Sequence, residues 1–296
     1  MAKISVVMAV YNGGPRLRET LASIAAQTEG DYELIVVDDG STDETPRILA
    51  AADDPRLRVI TQPNAGLTRA LVRGCNAATA DVIARHDAGD RSHPERFARQ
   101  LALLNANVLV ASATRMLGPE DEELYVSRGD GDETRESLLF ASAERIHGIP
   151  HHGSAMFRRA DYLAAGRYRE AFRFAQDLDL WIRLARRGSI AIIGEVLYEA
   201  RLEPRSISSL HRREQLRLTR LAVALRDGGD ERALLADAGR VQPRRQARRG
   251  QEAAGLYFIA KCLRARRDPR WRRYLLRALG RNPLHLRSWA SLILGR

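Results

Sequence analysis

Leu34-Ile35-Val36-Val37-Asp38-Asp39-Gly40-Ser41-Thr42-Asp43 is the stretch on which the reading of this chain turns. Four consecutive apolar residues, most of them β-branched, describe a strand buried on both faces, as in a parallel sheet. The acidic, Gly-containing run that follows ends the strand and turns the chain. A second segment repeats the arrangement, with Val82-Ile83-Ala84 leading into Asp87-Ala88-Gly89-Asp90. Each places carboxylates just past the C-terminal end of a strand, the edge at which open α/β sheets bind ligands. Carboxylates gathered there can hold a hard divalent cation, and that cation can hold a diphosphate.

Working outward, strand-like runs at 3–11, 33–38, 57–61 and 81–86 alternate with helix-like segments near 15–27, 44–52, 66–79 and 94–105. That rhythm predicts an α/β fold with a parallel sheet between helices. It brings residues 9–12, 38–40 and 87–90 to one sheet edge. Residues 118–133 are acidic and read as a loop, and 134–143 as a helix. His151-His152-Gly153-Ser154 reads as a turn into a short strand. A strong helix follows, with Asp177 as its expected cap, Leu178, Trp181, Leu184 and Ala185 as its apolar face and Gly188 at its end. Residues 190–199 read as a strand. From about 208 the pattern is helical, with helices near 251–265, 269–280 and 284–294.

Composition bounds the class. Of 296 residues, 45% are hydrophobic and 29% charged, an ordinary globular balance. No run of about 18 apolar residues occurs, so we expect no membrane-spanning helix. The apolar N-terminus runs into Asn12-Gly13-Gly14-Pro15 without a small-residue cleavage site and reads as a first strand, not a signal peptide. Cys75 and Cys262 match no zinc spacing and fit a reducing cytoplasm. Charge is uneven: residues 201–296 hold 24 Lys+Arg against 8 Asp+Glu, while the whole chain carries +11. The excess suggests an anionic partner for residues 210–296. Aromatic residues there are scattered, which disfavours nucleic acid. We expect instead peripheral attachment of Arg-rich helices to an anionic membrane surface.

Five ordered blocks carry a resemblance: residues 4–12 (ISVVMAVYN), 38–43 (DDGSTD), 64–67 (NAGL), 82–90 (VIARHDAGD) and 176–184 (QDLDLWIRL). In order and spacing they resemble a family 2 glycosyltransferase over residues 1–209. The resemblance implies a GT-A fold, a Rossmann-like mixed sheet flanked by helices. A donor-nucleotide half at 1–115 and an acceptor half at 116–209 would be followed by a basic α-helical extension at 210–296. It also implies an inverting bacterial transferase that moves a sugar from a nucleotide-sugar donor to a glycan or lipid-linked acceptor in cell-surface polysaccharide synthesis. Such an enzyme would be cytoplasmic or peripheral on the inner face of the plasma membrane.

By the same resemblance, Ala9, Tyr11, Asn12, Asp38, Asp39, Asn64 and Asp87 line the donor-nucleotide site. Asp87 and Asp90 would hold Mg²⁺ or Mn²⁺, hard cations that prefer oxygen ligands. The family pattern has Asp where this chain has Gly89, so Asp90 or a water must substitute. His86 and His93 flank the turn and read as incidental exposed residues. Asp177 is implied as the base that takes the proton of the acceptor hydroxyl. His152, Arg201 and Arg205 fall on acceptor-side segments. Two other readings stand beside this one. The chain could be a catalytically impaired GT-A-fold protein that binds nucleotide or glycan, with Gly89 marking the lost site. It could also be a sugar-phosphate nucleotidyltransferase, although the Gly- and Lys-rich N-terminal phosphate loop of such enzymes is missing.

Overall fold

The computed structural model describes residues 2–204, 211–242 and 248–294. Its N-terminal part follows the predicted alternation: β1 (Ile4–Val10), α1 (Arg16–Ala25), β2 (Tyr32–Asp38), α2 (Thr45–Ala50), β3 (Leu57–Thr61), α3 (Leu67–Ala77) and β4 (Val82–Arg85). Next come β5 (Arg91–Ser92), α4 (Arg96–Leu104), β6 (Leu109–Leu117), β7 (Glu123–Ser127) and α5 (Gly131–Phe140). β8 (Met156–Arg158), α6 (Arg159–Ala164), α7 (Gln176–Ala185) and β9 (Ile190–Arg201) follow. The remaining helices are Arg212–Arg226, Glu231–Gly239, Arg248–Ala265, Trp271–Arg281 and Leu286–Leu294. The acidic segment 118–133, expected as a loop, contains β7 and the first residues of α5.

The strands form one mixed sheet in the order β3-β2-β1-β4-β8-β6-β9-β5, with β7 paired to β6. β1, β2, β3 and β4 run parallel, while β8 pairs antiparallel with both β4 and β6. β1 lies at the centre and is buried on both sides, so successive side chains enter different cores. Val7, with Ile35 and Ile83 beside it, packs under Leu71 and Cys75 of α3 and Leu178 and Trp181 of α7. Val6 and Met8 face the other way, with Leu17 and Ile24 of α1, Ile48 of α2 and Phe97 of α4. The continuous apolar run at 34–37 is therefore the sequence of a strand covered by helices on both faces.

The chain divides into two compact units. The first comprises Met1–Thr114, Ser127–Ala200 and Leu216–Val241. The second comprises Arg115–Val126, Arg201–Gln215 and Gln242–Arg296. Leu218 and Ala222 of helix Arg212–Arg226 lie in the core of the first unit. In the second, Leu256, Ile259 and Leu263 of helix Arg248–Ala265 and Tyr274 and Leu275 of helix Trp271–Arg281 are buried. Among the described residues no helix is long and apolar enough to cross a membrane.

Candidate active site

The parallel register sets the floor of the site. Val10 pairs with Asp38, and Val7 with Arg85, so β1, β2 and β4 all end at the same sheet edge. Asp39 follows β2 and is buried. Its Oδ1 accepts from Gln62 Nε2 at 2.6 Å and Ala65 N at 2.9 Å, and its Oδ2 from Gly66 N at 2.8 Å. This carboxylate ties the loop after β3 to the end of β2, and it keeps acceptor capacity on Oδ2. Gly40 is required beneath that loop: its φ is +78°, and a Cβ there would sit 2.8 Å from Asn64 N. Asp38 accepts from Ser41 N at 3.0 Å. Asn12, at φ 53°, accepts from Thr42 N at 2.8 Å and joins the turn after β1 to the turn after β2. Ala9 is partly buried on β1, while Tyr11, Asn12 and Asn64 are exposed at the same edge.

A second group gathers past β4. Asp87, Asp90 and His151 each offer a ligand atom, and these atoms all lie within 4.8 Å of one another. β8 explains the histidine. Its antiparallel register pairs Ala84 with Met156, so the residues preceding β8 run alongside those following β4. The single 3-10 turn at His152–Ser154 then carries His151 to the Asp87-Ala88-Gly89-Asp90 turn. Gly89 stands at φ +97°, a conformation that costs an L side chain, and its N–H donates to Thr20 Oγ1 at 3.0 Å. Thr20 Oγ1 in turn donates to Asp90 O at 2.8 Å, so α1 holds this turn from below. Two carboxylates and an imidazole so close together are a donor set able to hold a divalent cation. The donor set thus forms without a side chain at 89.

Beneath it, Arg85 is fully buried and donates to Asp87 Oδ1 at 2.8 Å, to Val7 O, and to His152 Nε2 at 3.3 Å. Burial pushes the Asp87 carboxyl up, but the Arg85 guanidinium, followed by His152 and His151, outweighs it and holds it below the usual carboxylate range. Tyr198 of β9 accepts from Asp87 N at 3.0 Å. Arg96 donates to Gly153 O at 2.8 Å and Arg85 O at 3.0 Å, and lies over the Tyr198 ring. His152 meets Tyr168 Oη at 2.7 Å, and burial drives its pKa down to about 3. His86, expected to be exposed, is fully buried, and its pKa also falls to about 3, chiefly through burial.

Asp177 lies in the first turn of α7, within electrostatic reach of this group. Burial pushes its carboxyl above the ordinary range, the Leu178 N–H at 2.9 Å pulls it part of the way back, and the charge of Asp87 adds to the rise. It does not cap the helix as expected. The N-cap is Ala175, held at φ 55°, so Asp177 projects one residue inside the helix start. Trp181 is in the core. Arg201 is bonded to Asp121 within the second unit, and Arg205 lies outside the described residues. His151, Arg85, Arg96, Tyr168 and Tyr198 were not singled out by sequence reasoning. The one available signal was the His-His pair at 151–152. Cavities of about 250 Å³ beside Leu21 and Ile48, and about 340 Å³ beside Leu101 and Arg158, touch none of these groups.

Comparison with known proteins agrees with this fold. Residues 5–163 match the family described as Glycosyl transferase family 2. A putative glycosyltransferase of Bacillus subtilis, EpsE, is 31% identical over 217 residues, covering 67% of this chain and 73% of the relative. An uncharacterized glycosyltransferase of Rickettsia prowazekii is 27% identical over 203 residues, 67% of this chain but only 64% of its own length. The match therefore spans somewhat less than two thirds of that relative. A mannosyltransferase of Pyrobaculum calidifontis, solved with GDP-Man and Mn²⁺, shares the fold at TM-score 0.58 and 20% identity, over 90% of this chain and 76% of that one. With a GT-A architecture and a family match across more than half its length, the chain belongs to glycosyl transferase family 2.

Proposed function

We propose that this protein transfers a glycosyl unit from a nucleotide-sugar donor to an acceptor hydroxyl, with inversion at the anomeric carbon. The reading is supported by the Asp87–Asp90–His151 cluster past β4 and by Asp177, whose buried carboxyl is raised above the ordinary range and feels the charge of Asp87. Asp87, Asp90 and His151 would hold a divalent cation. Bound there, it would neutralise charge on the departing nucleoside diphosphate. The turns after β1 and β2, with Ala9, Tyr11, Asn12, Asp38, Asp39 and Asn64, would receive the nucleoside. Asp39 keeps this wall in place through Ala65 and Gly66. Asp177 accepts the acceptor's proton as the new bond forms, and its elevated pKa makes it a better base than an exposed aspartate. His152 is neutral and fixed by Tyr168, so it contributes shape at the acceptor side and no charge.

The acceptor in this reading is a glycan or lipid-linked glycan of cell-surface polysaccharide synthesis, met at the cytoplasmic face of the plasma membrane. The basic character of the second unit supports that setting. A catalytically impaired binding protein is disfavoured, because the cation donors assemble despite Gly89 and the base remains.

The test is a transfer assay over a panel of nucleotide sugars with Mn²⁺, read by nucleoside diphosphate release and by NMR of the product's anomeric proton. We expect inversion. Asp177→Asn should lower turnover by about 10²–10⁴-fold, the usual contribution of a general base, while donor Kd stays within a few fold. Unaltered turnover in that variant, or a retained anomeric configuration, refutes the assignment.

A further inference from the structure

Helix Leu286–Leu294 is mounted with its polarity inverted. Ser288 and Ser291 are 0% and 6% exposed, while Leu286 and Ile293 are 78% and 75% exposed. Leu286, Trp289 and Ile293 recur at helical spacing and share one face. Leu284, just before the helix, and Leu276, on the neighbouring helix Trp271–Arg281, are exposed as well. Local bonds set this orientation. Ser288 Oγ meets His285 Nδ1 at 2.8 Å, and Trp289 Nε1 donates to Pro283 O at 2.8 Å. An exposed run of large apolar side chains on this scale marks a surface with a partner.

The surrounding charge identifies the partner. Residues 248–294 hold twelve Arg or Lys and only two acids, Glu252 and Asp268. Glu252 is buried with Arg281 at 3.3 Å, and Asp268 is bound by Arg270 at 2.5 Å. Within the same unit Glu120 pairs with Arg273 and Arg277, and Glu123 with Arg266, so the outward positive surface rests on the arginines outside these pairs. Arg267, Arg272 and Arg287 are exposed. We infer that this face docks on an anionic lipid surface. Leu284, Leu286, Trp289 and Ile293 would enter the headgroup region, while the arginines meet lipid phosphates. Aliphatic side chains with an interfacial tryptophan among arginines describe an interfacial helix. Nucleic acid would call for several aromatic side chains along the face, and the Leu286, Trp289 and Ile293 face offers one, Trp289. A helix of nine residues lies on a bilayer and does not span it.

This deepens the acceptor side of the proposed function, but its test reads nothing of transfer, so either can fail alone. The full chain is floated with vesicles of phosphatidylglycerol and phosphatidylcholine, and with phosphatidylcholine alone, at low and high salt. Light scattering reports its oligomeric state. We expect binding to the anionic vesicles at low salt, weakened by high salt and by removal of phosphatidylglycerol. The triple variant Leu286→Ser, Trp289→Ser, Ile293→Ser should lose at least tenfold in partition coefficient. Arg272→Gln with Arg287→Gln should reduce it severalfold. All of these residues are exposed or half-exposed, and an unchanged circular dichroism melt confirms folding. Undiminished flotation of the serine variant overturns the inference, as does equal binding to neutral vesicles. It is also overturned if the wild type fails to float and forms a dimer that the serine variant abolishes.

Discussion

Arg85 shows how a single buried charge organises a site. A guanidinium with no exposure to water is costly unless every direction it points in is answered. Here it is answered by Asp87, Val7 O and His152. It fixes one Asp87 oxygen and leaves the carboxylate ionised, with its other oxygen available to the neighbouring ligands. His151 completes the cluster from a different strand. If it is a cation ligand, His151→Ala should raise the Mn²⁺ concentration needed for half-maximal donor binding by roughly tenfold to a hundredfold, as loss of metal-site partners commonly does. Mn²⁺ titration followed by electron paramagnetic resonance measures this. An unchanged affinity would remove His151 from the ligand set and leave the two aspartates alone.

At the scale of elements, the site depends on the antiparallel strands that border the parallel half-sheet. Gly153 lies where the turn before β8 crosses β9, and a Cβ there would stand 2.1 Å from Tyr198 Oη and 3.1 Å from Asp87 N. Tyr198 is buried with no slack, so Gly153→Ala should cost about 1–3 kcal/mol as an overpacking change and displace the hydroxyl from Asp87 N. We expect a lower Tm and weaker Mn²⁺-dependent donor binding. Adding Tyr198→Leu, which removes both the hydroxyl at 2.1 Å and the ring Cζ at 2.7 Å from the new Cβ, should bring the cost of Gly153→Ala below that measured with Tyr198 present, and an equal cost in the two backgrounds would show that the strain lies elsewhere. The same crossing explains what the sequence made legible. Asp39, Asp87 and Asp90 each follow an apolar run in the chain, so the local pattern announces both the strand and the carboxylate at its end. His151 and Tyr198 reach Asp87 only through the β4–β8 and β5–β9 pairings, which join residues tens of positions apart and leave no periodicity to read. Arg85 and His86 read as ordinary polar residues because nothing local marks them as buried. β7 was hidden because its alternating Glu123-Leu124-Tyr125 lies among acids and glycines that read as turn.

For the whole molecule, burying several imidazoles under the site links its assembly to pH. His86 and His152 are held neutral at the ends of β4 and before β8, each with a pKa lowered from 6.5 to about 3, first by burial and then by neighbouring arginines. Unfolding returns them to the ordinary value, so between pH 6.5 and about 3 the unfolded chain binds protons that the folded chain refuses. Their contribution to stability is present above pH 6.5 and is lost as pH falls through that window, by at most about 1.4 kcal/mol per pH unit for each group. Asp177 acts in the opposite sense, since its raised folded pKa favours the folded state as pH falls, but it is one carboxylate against two imidazoles. Thermal melts at pH 7.5, 6.0 and 5.0 should therefore show a falling Tm well before carboxylates in general are protonated. His86→Asn can keep a donor toward Asp87 O, now made by the ring at 3.0 Å, and removes a titrating group. Its Tm should fall less steeply over the same range, even if it starts lower. A wild-type Tm that is level from pH 7.5 to 5.0 would mean these imidazoles reach water in the folded state, and the close packing of Arg85, His152 and Tyr168 beneath Asp87 could not then stand as described.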